Sequence, residues 1–150
     1  MTPDPGLVDG LAQLSFLVHN ALAEIAGEHD LSIVQTRLLG VLRDREPTMN
    51  EIGRHLGLDK SSITGLVDRA QRRGLVTRTV SAIDRRAFQV SITDAGRQLV
   101  ERVAAKFTER IELAVAPLPE ADRQLLSGLA ARIVAADADR QGIDLGTAAG

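Results

Sequence analysis

Between residues 60 and 72 the side chains sort by type around a helical wheel. Ile63, Leu66, Val67 and Ala70 share one face, while Lys60, Ser61, Ser62, Thr64, Gly65, Asp68, Arg69 and Arg72 share the other. At 3.6 residues per turn the first set is a face to bury and the second a face to present. Small hydroxyl side chains beside Lys and Arg suit a groove about 12 Å wide, where they can bond phosphates and base edges. The positive end of the helix at Lys60–Ser62 favours phosphate as well. Gly65 inside a helix costs about 1 kcal/mol relative to Ala. Close backbone approach to DNA would account for it, and so would close packing against a neighbouring helix. A second basic group, Asp84-Arg85-Arg86, lies in a polar loop between two β-branched segments. The candidate DNA-binding residues are therefore Lys60, Ser61, Ser62, Thr64, Gly65, Arg69, Arg72, Asp84, Arg85 and Arg86.

The elements that must position these residues are readable from period and caps. Leu7, Leu11, Leu14, Val18, Leu22 and Ile25 predict a first amphipathic helix from Leu7 to about Glu28. Ser32 followed by Gln35 is a capping box for a second helix, which carries Val34, Leu38, Val41 and Leu42 inward and stops before Pro47. Thr48 and Glu51 form another box, opening a short helix with Ile52 and Leu56 inside. Gly57 supplies a left-handed turn, and Asp59 caps the helix that bears the polar face. After Gly74 the period changes. Leu75–Val80 and Phe88–Ile92 read as paired strands, with Ser81–Arg86 as their charged loop. A long helix follows from Thr93-Asp94 to about Ala116 with Leu99, Val103, Phe107 and Ile111 in line. A last helix, from about Glu120 to Asp139, is expected to bury Leu125, Leu126, Leu129 and Ile133. Met49 and Phe16 are expected in the core. The small residues of 141–150 are expected to be disordered.

The bulk composition narrows the class. With 150 residues, one domain over 1–150 is expected. The absence of cysteine excludes disulfides, thiolate metal sites and thiol redox sensing. No signal peptide and no membrane span are visible, so a cytoplasmic protein is expected. The net charge is −2, yet residues 51–97 hold nine Lys/Arg against five Asp/Glu. A basic middle between acidic flanks suits nucleic-acid contact by one segment. No phosphate loop, nucleophile elbow or spaced His–Glu motif is present, so no enzyme, catalytic residue or cofactor is expected. Three Phe and no Trp or Tyr offer few platforms for single-stranded RNA.

The run from Met49 to Gly96, with its Asp-Arg-Arg and its Thr93-Asp94-Ala95-Gly96, resembles the MarR family of bacterial transcription regulators, and the flanking helices extend the resemblance over residues 7–140. The resemblance implies a mainly α fold with a small β-hairpin wing. Residues 32–96 would be the winged helix-turn-helix, and 7–28 and 97–140 the dimerisation helices. It also implies a homodimer on a pseudo-palindromic operator in double-stranded DNA, commonly a repressor released by a small aromatic or anionic effector. Ser61, Ser62 and Thr64 match the start of that family's recognition helix. Asp84 and Arg86 match its wing motif, in which the Arg enters the minor groove and the Asp pairs with it. The chemistry is sound by itself, since a guanidinium in a narrow A·T minor groove meets enhanced negative potential.

Dimerisation also follows from the chain. The winged part needs about half the sequence to cover its core, which leaves surplus apolar stripes on both end helices. A twofold contact would cover them and set two reading helices about 34 Å apart. An effector site near the first, second and fifth helices would draw on His19 and Arg37. A metal-responsive regulator is a rival reading, with Glu24, Glu28 and His29 clustered at the end of the first helix. A winged-helix module that binds protein instead of DNA is another.

Overall fold

The computed structural model describes residues 3–143. Among them are six helices, α1 (Leu7–Gly27), α2 (Ile33–Leu42), α3 (Met49–Leu56), α4 (Lys60–Arg72), α5 (Asp94–Val115) and α6 (Glu120–Gln141), and two strands, β1 (Val76–Val80) and β2 (Phe88–Ile92). The expected mainly helical architecture with a hairpin wing is the one observed. The described residues divide into two compact units, one ending at Ile111 and the other beginning at Glu112, with the division inside α5. No helix among the described residues is long and apolar enough to cross a membrane.

Local hydrogen bonds set most boundaries of the first unit. Ser32 Oγ accepts the Gln35 N–H at 3.1 Å and Gln35 Oε1 accepts the Ser32 N–H at 2.8 Å, closing the box that starts α2. Thr48 Oγ1 accepts the Glu51 N–H at 3.3 Å to start α3. Gly57, at φ 65° and ψ 35°, turns the chain from α3 toward α4 in a conformation that costs a side-chain-bearing residue energy. Thr93 Oγ1 donates to Gly74 O at 2.6 Å and accepts the Gly96 N–H at 3.1 Å, so it ties the end of α4 to the start of α5.

The strands pair antiparallel from Val76↔Ile92 to Val80↔Phe88. One further rung joins Thr48 to Gln89, and the Val90 N–H donates to Pro47 O at 2.9 Å. This edge is absent from the sequence reading because a single rung leaves no alternation to detect. Behind it lies one apolar cluster, in which Leu38, Leu39, Leu42, Ile52, Ile63, Val67, Val76, Val90 and Val103 are all fully buried. The hydrophobic effect over this area is the main force assembling the unit.

Two expectations of burial are corrected, for Phe16 and for the α6 stripe. On α1 only Ala21, Ile25 and Ala26 are buried, whereas Leu7, Leu11 and Leu14 are exposed, and Phe16 is 64% exposed. In the second unit Leu125, Leu126, Leu129 and Ile133 of α6 are exposed as well. Periodicity identifies a face that favours cover, but it does not say whether the same chain supplies the cover. Within this unit Arg123 bonds both Glu112 and Glu120, at 3.5 and 3.1 Å. Of the segment expected to be disordered, Gln141 ends α6 and Gly142 is its left-handed cap. Residues 144–150 lie outside the described residues.

Candidate nucleic-acid interface

The polar face of α4 is built from its first turn. Asp59 Oδ1 accepts the Ser62 N–H at 2.8 Å and the Ser61 hydroxyl at 2.9 Å. The Ser62 amide, with the hydroxyls of Ser61 and Ser62, holds this exposed carboxyl below the ordinary carboxylate range. Thr64 Oγ1 donates to Lys60 O at 2.9 Å. The Ser61 and Thr64 hydroxyls are thus committed as donors inside the turn and the Ser62 hydroxyl also acts on Asp59, which leaves Lys60 and the arginines as the outward donors of this face. Lys60, Ser61, Ser62, Thr64, Arg69 and Arg72 are exposed and Gly65 is half-buried.

Two residues of this helix behave differently from the wheel. Asp68, drawn there on the outward face, forms an ion pair with Arg78 of β1. This pair braces the helix to the wing, although the Arg78 Nε is buried and unbonded. A Cβ built on Gly65 would meet only Arg69 Nη1, at 3.2 Å. No neighbouring helix crowds the glycine, so close helix packing does not explain it.

The wing tip is ordered by two side chains. Buried Ser81 accepts the Ile83 and Asp84 N–H groups on its Oγ at 3.2 and 3.3 Å. Asp84 Oδ1 accepts the Arg86 backbone N–H at 3.0 Å. Backbone bonds from Ser81 N–H to Ala87 O and from Ala87 N–H to Asp84 O close the loop. Asp84 therefore fixes Arg86 through its amide, and no ion pair joins the two side chains among the described residues. The Arg85 and Arg86 side chains are exposed.

These parts meet at an open cleft of about 670 Å³ between α3, the start of α4 and the wing. Lys60 and Thr64 enter it from the helix, Asp84 and Arg86 from the loop, and Arg54 and Arg78 add charge. Ser61, Ser62, Gly65, Arg69, Arg72 and Arg85 lie outside its lining. The sequence reading missed Arg54, Arg78 and Ser81, and it placed Asp68 on the presented face without its partner. For Arg54 the signal was available, since it sits with basic His55 in the last turn of a short helix.

The remaining candidates are dispersed. His19 is exposed on α1 and makes no hydrogen bond or ion pair among the described residues. Arg37 donates to His55 O at 3.5 Å, and no hydrogen bond joins it to His19. Glu24 bonds Arg110 and Glu28 bonds Lys106, each at 3.1 Å, while His29 Nδ1 lies 3.0 Å from Ile25 O. Arg110, by its hydrogen bond and then its charge, lowers the pKa of Glu24. No group of three potential metal ligands occurs among the described residues. At the far end of α4, Arg73 donates to Asp30 O and His29 O at 2.7 and 3.3 Å.

Known proteins resemble this chain in sequence and in fold. Residues 29–87 match the MarR family. The chain is similar to the HTH-type transcriptional regulator PecS of Dickeya dadantii (strain 3937), with 28% identity over 135 residues, 87% of this chain and 81% of that protein. It is also similar to the HTH-type transcriptional repressor IacR of Pseudomonas putida, with 34% identity over 99 residues, 65% of this chain and 59% of that protein. In fold it is similar to S. aureus MepR in a crystal structure with DNA, with a TM-score of 0.71 and 20% identity, covering 89% of this chain and 99% of that one.

Proposed function

We propose that the chain, which matches the MarR family over residues 29–87 and is similar to a named transcriptional regulator over most of its length, is a regulator of that family that reads duplex DNA as a homodimer and represses transcription until a small effector binds. In this reading the exposed face of α4 lies in the major groove. Lys60, Ser61, Ser62, Thr64 and Gly65 approach bases and backbone there, while Arg69 and Arg72 meet phosphates farther along. Arg86, directed by Asp84 and flanked by Arg85, enters the adjacent minor groove. We assign no catalytic step, cofactor or metal, and the expected place of work is the bacterial cytoplasm, at the DNA.

The observation that carries the reading is the shared cleft, because it brings Lys60 and Thr64 of the helix and Arg86 of the loop to one concave, cation-rich surface. A helix and a loop cradling a phosphate strand between two grooves need that geometry. Dimerisation draws support from the exposed apolar residues of α1 and α6. The effector site belongs near α1, α2 and α5, with His19 and Arg37 as its polar candidates.

The test is selection of duplexes from a random library, followed by a salt titration of the winner. Recovery of an inverted repeat with half-sites about 10 bp apart, bound with steep salt dependence, is the expected outcome. Arg86→Ala is expected to weaken that binding at least about tenfold with helicity unchanged. Wild-type affinity in the variant, or no enrichment by the folded wild-type chain, would move the assignment to a protein-binding winged helix.

A further inference from the structure

The wing ends in an apolar tip. Ile83 is 96% exposed, and no large hydrophobic side chain among the described residues is more so. The last rung of the hairpin, Val80↔Phe88, is about half exposed below it. A mobile loop could fold such a side chain away, but here Ser81 Oγ holds the amides of both Ile83 and Asp84, and Asp84 holds that of Arg86. The backbone therefore presents Ile83 outward, two and three residues from the exposed Arg85 and Arg86.

An apolar point beside two cations matches the minor groove of a duplex. The arginines meet its negative potential, and the isoleucine meets apolar sugar walls and the base floor. We propose that Ile83 enters the minor groove beside Arg86 and makes the wing select A·T over G·C pairs where it touches. The proposal rests on the DNA-reading function above. In the minor groove A·T and T·A offer only acceptors, whereas G·C adds the guanine 2-amino donor. Isoleucine has nothing to accept from that donor, which would be buried without a partner. Arg86 responds to potential and groove width, so base exclusion falls to its apolar neighbour.

The experiment uses the full chain and the duplex it enriches from a random library. Each A·T pair facing the wing is replaced by G·C and, in parallel, by inosine·cytosine, which keeps the major-groove edge of G·C but lacks the 2-amino group. For the wild type, G·C is expected to weaken binding about fivefold or more and inosine·cytosine to restore it. In Ile83→Ser, whose hydroxyl can accept from the amino group, the two pairs should bind within about twofold of each other. Arg86→Ala should weaken all duplexes while keeping the discrimination. Equal discrimination in Ile83→Ser, or tolerance of G·C by the wild type, overturns the proposal. So does a change only in self-association of the free variant, which would make the tip a contact between copies. If the wild type enriches no duplex, the DNA reading falls first and this proposal with it.

Discussion

A methyl group added at Gly96 would collide with the Leu75 carbonyl oxygen and lie 2.8 Å from Ile92 Cγ1, whereas one added at Gly65 would meet only the movable guanidinium of Arg69. Gly96→Ala is therefore expected to destabilise the chain by about 1–3 kcal/mol in urea unfolding, because backbone cannot give way as a side chain can. Gly65→Ala should instead stabilise it by up to about 1 kcal/mol while weakening operator binding. Unchanged binding would remove Gly65 from the interface. Asp59 offers a pH test. Its folded pKa is lowered by the Ser62 amide and the two serine hydroxyls. A depressed carboxyl adds stability above its unfolded value of about 4 and loses it as pH falls through the folded value. Protection of the Ser62 amide from hydrogen exchange should accordingly be greater at neutral pH than in acid, and the difference should vanish in Asp59→Ala.

At the scale of elements, α4 is held at both ends and along its side. Arg73 bonds the α1–α2 turn, Asp59 caps the start, and Asp68 pairs with Arg78 of β1. The last of these joins the helix to the wing, the two surfaces proposed to read the grooves. The pair is partly exposed, so its worth is discounted for solvent screening. A double-mutant cycle of Asp68→Ala and Arg78→Ala is expected to give a coupling of about 0.5–1 kcal/mol in urea unfolding. Both single variants should weaken operator binding. A coupling near zero would mean that the wing is positioned by its apolar contacts alone, chiefly Val76 and Val90 in the core.

For the whole molecule the proposed dimer rests on the exposed leucines of α1 and α6. Leu7, Leu11 and Leu14 on one helix, and Leu125, Leu129 and Ile133 on the other, leave more apolar surface in water than an isolated chain favours. Sedimentation velocity at micromolar concentration is expected to show twice the chain mass. Leu129→Arg should return it to the chain mass with helicity kept and operator affinity lost. A wild-type monomer would remove the twofold reading of DNA.

The elements were legible because their determinants lie within a few residues of one another. A 3.6 period, a Ser or Asp cap with its amide three residues on, and a glycine at positive φ each act locally, and α1, α4 and β2 fall where these signals put them. The face of α4 and the basic loop were legible for the same reason. The partner of Asp68, the amide taken by Asp84, the rung between Thr48 and Gln89, and the exposure of Phe16 and Leu129 were not. Each depends on which distant segment arrives beside it, and only the packed chain sets that.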